Sequence, residues 1–118
     1  MSDLSQVEFS GDDVVVARLS GEIDLSNAAD VGESLSAAVP NTALGLVIDL
    51  TATAYLDSSG VHLLFDLAER LQRRQQQLRV VVPEGAPVRR VLRIVELDES
   101  VPMTATVEEA VAAVRAAA

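Results

Sequence analysis

The sequence predicts one α/β domain over residues 1-118, a mixed β-sheet of four to five strands covered by about four helices. Three observations point there. The stretch Leu44-Gly45-Leu46-Val47-Ile48-Asp49-Leu50 is almost wholly apolar, with the length and branching of a strand buried on both faces, and so belongs at the centre of a sheet. After Asp57-Ser58-Ser59-Gly60 the apolar period changes, because Val61, Leu64, Ala68 and Leu71 recur at helical spacing. Over the whole chain the order reads β-β-α-β-α-β-α-(β)-α, and strands alternating with helices require crossovers and a sheet covered by helices. A chain of 118 residues with 49% hydrophobic side chains can bury one core.

Taken in order, Val7 and Phe9 alternate with Glu8, Ser10-Gly11-Asp12-Asp13 supplies turn chemistry, and Val14 to Leu19 resumes as strand, which makes an opening hairpin. Gly21 is expected to end the second strand. Ser26 is expected to cap a helix whose Ala28, Val31, Leu35 and Ala38 share a face, with Pro40-Asn41 stopping it. The buried strand at 44–50 follows, then a loop and the long helix, whose Arg70, Arg73 and Arg74 suit the negative end of the dipole. Leu78 to Val82 reads as strand, closed by Pro83 and Gly85. Pro87 is placed at the first position of a helix carrying Val88, Val91, Leu92 and Val95. Val101 and Met103 form a short edge strand, since the intervening Pro102 would not be tolerated in a central one. Thr106 to Glu109 has capping-box spacing for a last helix with Ala110, Val111 and Val114 on its apolar face.

Composition removes several classes of function. Without cysteine there is no disulfide framework, thiolate metal site or thiol redox sensor. No apolar run approaches the ~20 residues of a membrane span, and Met1-Ser2-Asp3-Leu4-Ser5 lacks the basic and apolar regions of a signal peptide, so the chain reads as soluble and cytoplasmic. The net charge of −9 lies in one half: residues 1–60 carry ten acids against Arg18 alone, whereas residues 61–118 carry eight of each sign. That sign disfavours nucleic acid and suits a basic protein partner, although an acidic surplus also simply keeps a small domain in solution.

The chemistry-bearing residues gather at 57–69. On a helical wheel Gly60, Val61, Leu64, Leu67, Ala68 and Leu71 form a core face, with Gly60 letting it approach the sheet. Ser58, His62, Phe65 and Glu69 form a separate flank stripe, and Ser59 points about 100° further round, toward Asp66 and Arg70. Ser58 is therefore the hydroxyl that belongs with an apolar anchor, Phe65. Asp57, Ser58, Ser59 and His62 are not a hydrolytic triad, because a base one turn from the serine on the same helix has no third group from another segment to orient it. The pattern is also not a Gly-x-Ser-x-Gly elbow. His62, Asp66 and Glu69 at helical spacing read as solvated surface, so no catalytic residue, metal ligand or cofactor is assigned. Asp24 and Asp57 each follow a strand and precede a helix; they read either as caps or as an acidic rim around Ser58.

The apolar strand, Asp57-Ser58-Ser59-Gly60 and the helix after them resemble the anti-sigma factor antagonist branch of the STAS domains. Leu19-Ser20-Gly21-Glu22-Ile23-Asp24, Pro87-Val88-Arg89-Arg90-Val91-Leu92 and Thr106-Val107-Glu108-Glu109-Ala110 fit the same pattern in order, over nearly the whole chain. The resemblance implies a regulator and not an enzyme. Unmodified, it would bind an ATP-dependent anti-sigma factor serine kinase and free a sigma factor; phosphorylated on Ser58, it would let go, and a metal-dependent serine phosphatase would reset it. The partner-facing edge would hold Asp24, Asp57, Ser58, Ser59, Gly60, Val61, His62 and Phe65, on a monomer or weak dimer. The alternative in the same fold is an adaptor subunit of a larger signalling or lipid-transport assembly. Two departures stand out: Val61-His62 replaces the Leu-Gly of many relatives, which bears on partner identity, and Glu96-Leu97-Asp98-Glu99-Ser100 lacks a glycine often found there, so a differently shaped loop is expected.

Overall fold

The computed structural model describes residues 5–117; Met1 to Leu4, read above for targeting signals, and Ala118 lie outside them. Five strands form one mixed sheet in the order β1-β2-β3-β4-β5, with β1 antiparallel to β2 and every later pair parallel. The elements are β1 (Ser5–Ser10), β2 (Val14–Ile23), α1 (Ala28–Ala37), β3 (Gly45–Leu56), α2 (Ser58–Arg73), β4 (Gln77–Val81), α3 (Arg89–Ile94), a 3-10 turn (Leu97–Glu99), β5 (Met103–Thr104) and α4 (Val107–Ala117). This is the expected order, with the edge strand present.

Alternation along the parallel strands sorts the core into two layers, because successive side chains point to opposite faces. Val15, Ala17, Leu19, Leu46, Ile48, Leu50 and Val80 meet Val31 and Leu35 of α1, Leu64, Leu67 and Leu71 of α2 and Leu92 of α3. On the other face Val14, Val16, Val47 and Val81 are covered by Ala110 and Val114 of α4. Both faces of β3 are thus buried, which is why its first half is apolar without alternation.

Several boundaries differ from the sequence expectation. β3 does not stop at Leu50 but runs to Leu56, while β4 leaves it at Asp49. Its second half pairs with β2 alone, through two register irregularities, so that Ile23 comes opposite Leu56. Thr53 is buried there and its Oγ1 donates to Leu19 O at 2.8 Å, which satisfies a hydroxyl that made the stretch read as loop. Gly21 does not end β2; at φ 84° it lies beside the second irregularity, a position for which glycine is suited. Ser26 does not cap α1, since its Oγ donates to Asp24 Oδ1 at 2.6 Å and Asn27 occupies the cap position. Pro87 sits in the turn before α3, displaced from the first helical position by an Arg89 N–H to Ala86 O bond of 3.1 Å. Val101 is buried but outside β5, and Pro102 gives β4 only its carbonyl, accepting from Val80 N–H at 3.2 Å.

The last helix is fastened at both ends. Thr106 Oγ1 accepts from Glu109 N–H at 3.1 Å and Glu109 Oε1 accepts from Ala105 N–H at 3.2 Å, close to the expected capping box. Arg115 clasps Asp13 in the β1–β2 turn through Nε and Nη2 at 3.1 and 2.9 Å. Those hydrogen bonds hold the Asp13 carboxyl below its ordinary range. The stabilisation is therefore present at neutral pH and fades as pH falls through the lowered carboxylate range.

The loop after α3 lacks the glycine the resemblance implies, yet its backbone is the one glycine favours. Glu96 is left-handed, at φ 58° and ψ 39°. The departure therefore places an L-residue with a side chain in a backbone conformation that favours glycine. A left-handed L-residue costs about 1–2 kcal/mol, and glycine gives back about 0.5–1 kcal/mol in chain entropy. Glu96→Gly should accordingly raise stability by about 0.5–1 kcal/mol, read as a higher urea midpoint at unchanged slope. A lowered midpoint would show that the Glu96 side chain contributes more than its backbone costs.

Candidate functional site

Because Ile23 and Leu56 are paired, β2 and β3 end side by side and the segments that follow them form one corner. Asp57 organises it. One carboxylate oxygen, Oδ1, accepts from the Ser59 and Gly60 N–H groups at 2.8 and 3.1 Å and caps α2; the other, Oδ2, accepts from Leu25 N–H at 3.1 Å and holds the β2–α1 loop. The cap reading of Asp57 is therefore the structural one, and the same carboxylate is also the clamp between the two loops. Asp57 N–H donates to Ile23 O at 3.2 Å, closing the corner from the backbone side.

Asp24 is half-buried and serves its own loop, with Oδ1 accepting from the Ser26 N–H at 3.0 Å as well as from its hydroxyl. Its N–H donates to Asn27 Oδ1 at 3.0 Å, and Asn27 Nδ2 donates to Glu22 O at 2.8 Å. These bonds turn the chain so that Leu25 projects outward, 80% exposed. The two aspartates and α2's first turn do converge on one edge of the sheet.

Gly60 is buried beneath the corner. A Cβ there would lie 2.8 Å from Leu56 Cδ2 and 3.0 Å from Ile23 O, so α2 approaches as closely as a glycine allows. Ser58 is exposed and Ser59 half-buried, as the wheel implied. Ser58 and His62 form a ridge between two grooves. The α1–α2 groove is lined by Leu25, Ala28, Ala29, Gly32, Ser59, Leu63 and Asp66 among others, and the α2–α3 groove by Leu56, Val61, Phe65, Val91 and Val95. Val61 is almost fully buried and forms groove floor, whereas Phe65 is half-buried and packs partly on the core. Among the described residues no cluster of His, Cys, Asp and Glu could hold a metal ion.

Three features of the corner were missed from sequence: Leu25, Val91 and Val95. Leu25 had a signal, as the one large apolar residue in the polar loop Asp24-Leu25-Ser26-Asn27. Val91 and Val95 are read from the sequence as carried by a helix starting at Pro87, with no part in the corner. With α3 starting at Arg89, Leu92 takes the core, Val91 turns to the groove, and Val95 lies past the helix end, 37% exposed.

In this corner Asp57 caps α2 and the serine after it is exposed, and the STAS domain family model matches residues 5–110. The chain belongs to the STAS domain family. Within it the chain is 33% identical over 102 residues to the anti-sigma-F factor antagonist RsfB of Mycobacterium tuberculosis, covering 86% of this chain and 82% of RsfB. The crystal structure of an anti-sigma factor antagonist from Mycobacterium paratuberculosis superposes with a TM-score of 0.80 at 34% identity, covering 94% of this chain and 92% of that one. SpoIIAA, an anti-sigma factor antagonist solved in its unphosphorylated form, superposes with a TM-score of 0.72 at 26% identity, over 94% of this chain and 97% of that one. The resemblance read from the sequence thus holds for the STAS fold and for likeness to anti-sigma factor antagonists. Among the described residues no helix is long and apolar enough to cross a membrane.

Proposed function

We propose that this chain is a cytoplasmic anti-sigma factor antagonist that acts by binding and not by catalysis. Unphosphorylated, it docks an ATP-dependent anti-sigma factor serine kinase and so releases a sigma factor; phosphorylation of Ser58 ends the association and a metal-dependent serine phosphatase restores it. The observation that carries the reading is the placement of Ser58: an exposed hydroxyl on a ridge, flanked by apolar Leu25 on one side and Phe65, Val91 and Val95 on the other. A protein surface can bury that ring only while the ridge is small and neutral. A monomer or weak dimer leaves the corner free for a partner.

The test uses the chain with the kinase recovered from native lysate. Incubation with labelled ATP should label the parent and Ser59→Ala, whose side chain is turned into the α1–α2 groove, but not Ser58→Ala. Label kept in Ser58→Ala and lost in Ser59→Ala would refute the assignment. Capture from lysate of a stable assembly indifferent to ATP would instead favour an adaptor subunit.

The acidic rim is tested separately. Asp24→Asn keeps an oxygen for the Ser26 bonds while removing the charge, so thermal stability should hold. Association with a basic partner should slow, and the difference from the parent should shrink as salt rises, because steering is screened beyond about 8–10 Å. Equal association rates at low salt would leave Asp24 a loop residue only.

A further inference from the structure

On the reading that Ser58 is the modified residue, we propose that His62 is the group that holds the phosphate on this molecule. A helix N-terminus ordinarily receives an anion through its free first-turn N–H groups. Here Asp57 Oδ1 already takes two of them, those of Ser59 and Gly60, so a phosphate on Ser58 arrives beside a carboxylate that occupies the usual site. The other charged groups facing the ridge do not help. Glu33 lines the α1 side of the groove, Asp66 follows on α2, and α3 contributes only Val91 and Val95 to the opposite groove. Asp24 is turned into its own loop, and Arg70 lies three turns along α2 from Ser58.

His62 is the side chain placed to answer this charge. It stands one turn after Ser58 on the same helical row, the spacing at which side chains of a helix meet. It shares both grooves with Ser58, and its side chain is 77% exposed and free to turn. Its Nε2 lies 3.4 Å from Asp66 Oδ2, so the ring stands between the serine and a carboxylate one turn further on. A phosphoserine phosphate of about −1.5 to −2 charge outcompetes one carboxylate for the imidazolium. The phosphate then lies along α2 over the ridge and shields both grooves.

The experiment installs phosphoserine at position 58 during translation, so it needs no kinase and stands whether or not the labelling test succeeds. The midpoint of the phosphate's second ionisation is followed by phosphorus NMR. It should lie lower in the parent than in His62→Gln, and His62→Arg, a permanent cation of similar reach, should bring it down again. Raising salt to about 1 M should narrow the gap between parent and His62→Gln, since the pair is exposed. Equal midpoints in the parent and His62→Gln, with the His62→Arg midpoint lowered, would overturn the proposal by showing that the phosphate senses a cation there but not this histidine. Equal midpoints in all three would overturn it too, by placing the phosphate out of reach of residue 62.

Discussion

Ile48→Ala should lower the stability of this domain by about 2–5 kcal/mol and its melting temperature by roughly 10 °C or more, measured by thermal unfolding. Ile48 has no exposed surface. It lies in the half of β3 that is paired on both sides, opposite Ala17 of β2 and Val80 of β4, and faces the layer formed by α1, α2 and α3. Removing three carbons there leaves a cavity that cannot collapse without moving paired backbone, so transfer and cavity terms add. The same truncation at Tyr55, half exposed on the β3 extension, should cost far less. An Ile48→Ala protein melting with the parent would remove β3 from the centre of the core.

How much of this was legible depended on whether a residue's environment is set by its own segment or by a neighbour. Leu44 to Leu50 had to be a central strand because every residue but Gly45 and Asp49 carries an apolar side chain and branched residues recur, and that signal is local. Thr51 to Leu56 carries the opposite local signal. Its strand character comes from pairing with Ser20 to Ile23, and Thr53 is satisfied only by a carbonyl 34 residues earlier, at Leu19. The start of α1 followed the same rule: Ser26 is a good cap by type, but Asp24 supplies a nearer acceptor and takes its hydroxyl. At Glu96 the residue type gives no local sign of the left-handed backbone, which the surrounding turn imposes on a glutamate.

The site divides along the same line. The helical period separated Ser58 from Ser59, since one helix decides both directions. The second role of Asp57 was not visible, because Leu25 N–H reaches it through a pairing of β2 with β3 that no local pattern encodes. Nor did sequence show that Asp57 already fills part of the anion site at α2. Two of the first-turn N–H groups that would otherwise receive a phosphate, those of Ser59 and Gly60, are bonded to its Oδ1.

The occupied cap narrows what phosphorylation must do. Phosphorylated on Ser58, the domain should bind its partner at least about 100-fold more weakly than the unmodified form, since burying a phosphate on a ridge fitted as a small neutral hydroxyl leaves a desolvated, unmatched charge that costs several kcal/mol, and each 1.4 kcal/mol is tenfold. The loss does not require α2 to unfold. Negative charge at its first turn is compatible with the helix dipole, and the core face of Val61, Leu64, Leu67 and Leu71 anchors it. Far-ultraviolet circular dichroism should therefore match in the two forms while a binding titration separates them. Ser58→Ala should bind like the parent and escape control. Ser58→Asp should fall between, because one carboxylate carries less charge and fewer oxygens than a phosphate. The effect arises at the ridge, where the added group stands between Leu25 and the Phe65 groove and keeps a partner from closing on either, so moving the charge off the ridge should largely abolish it. Aspartate at Ser59, half-buried in the α1–α2 groove, supplies that control. If Ser59→Asp weakened binding as much as phosphoserine at 58, general repulsion and not the ridge would be the cause.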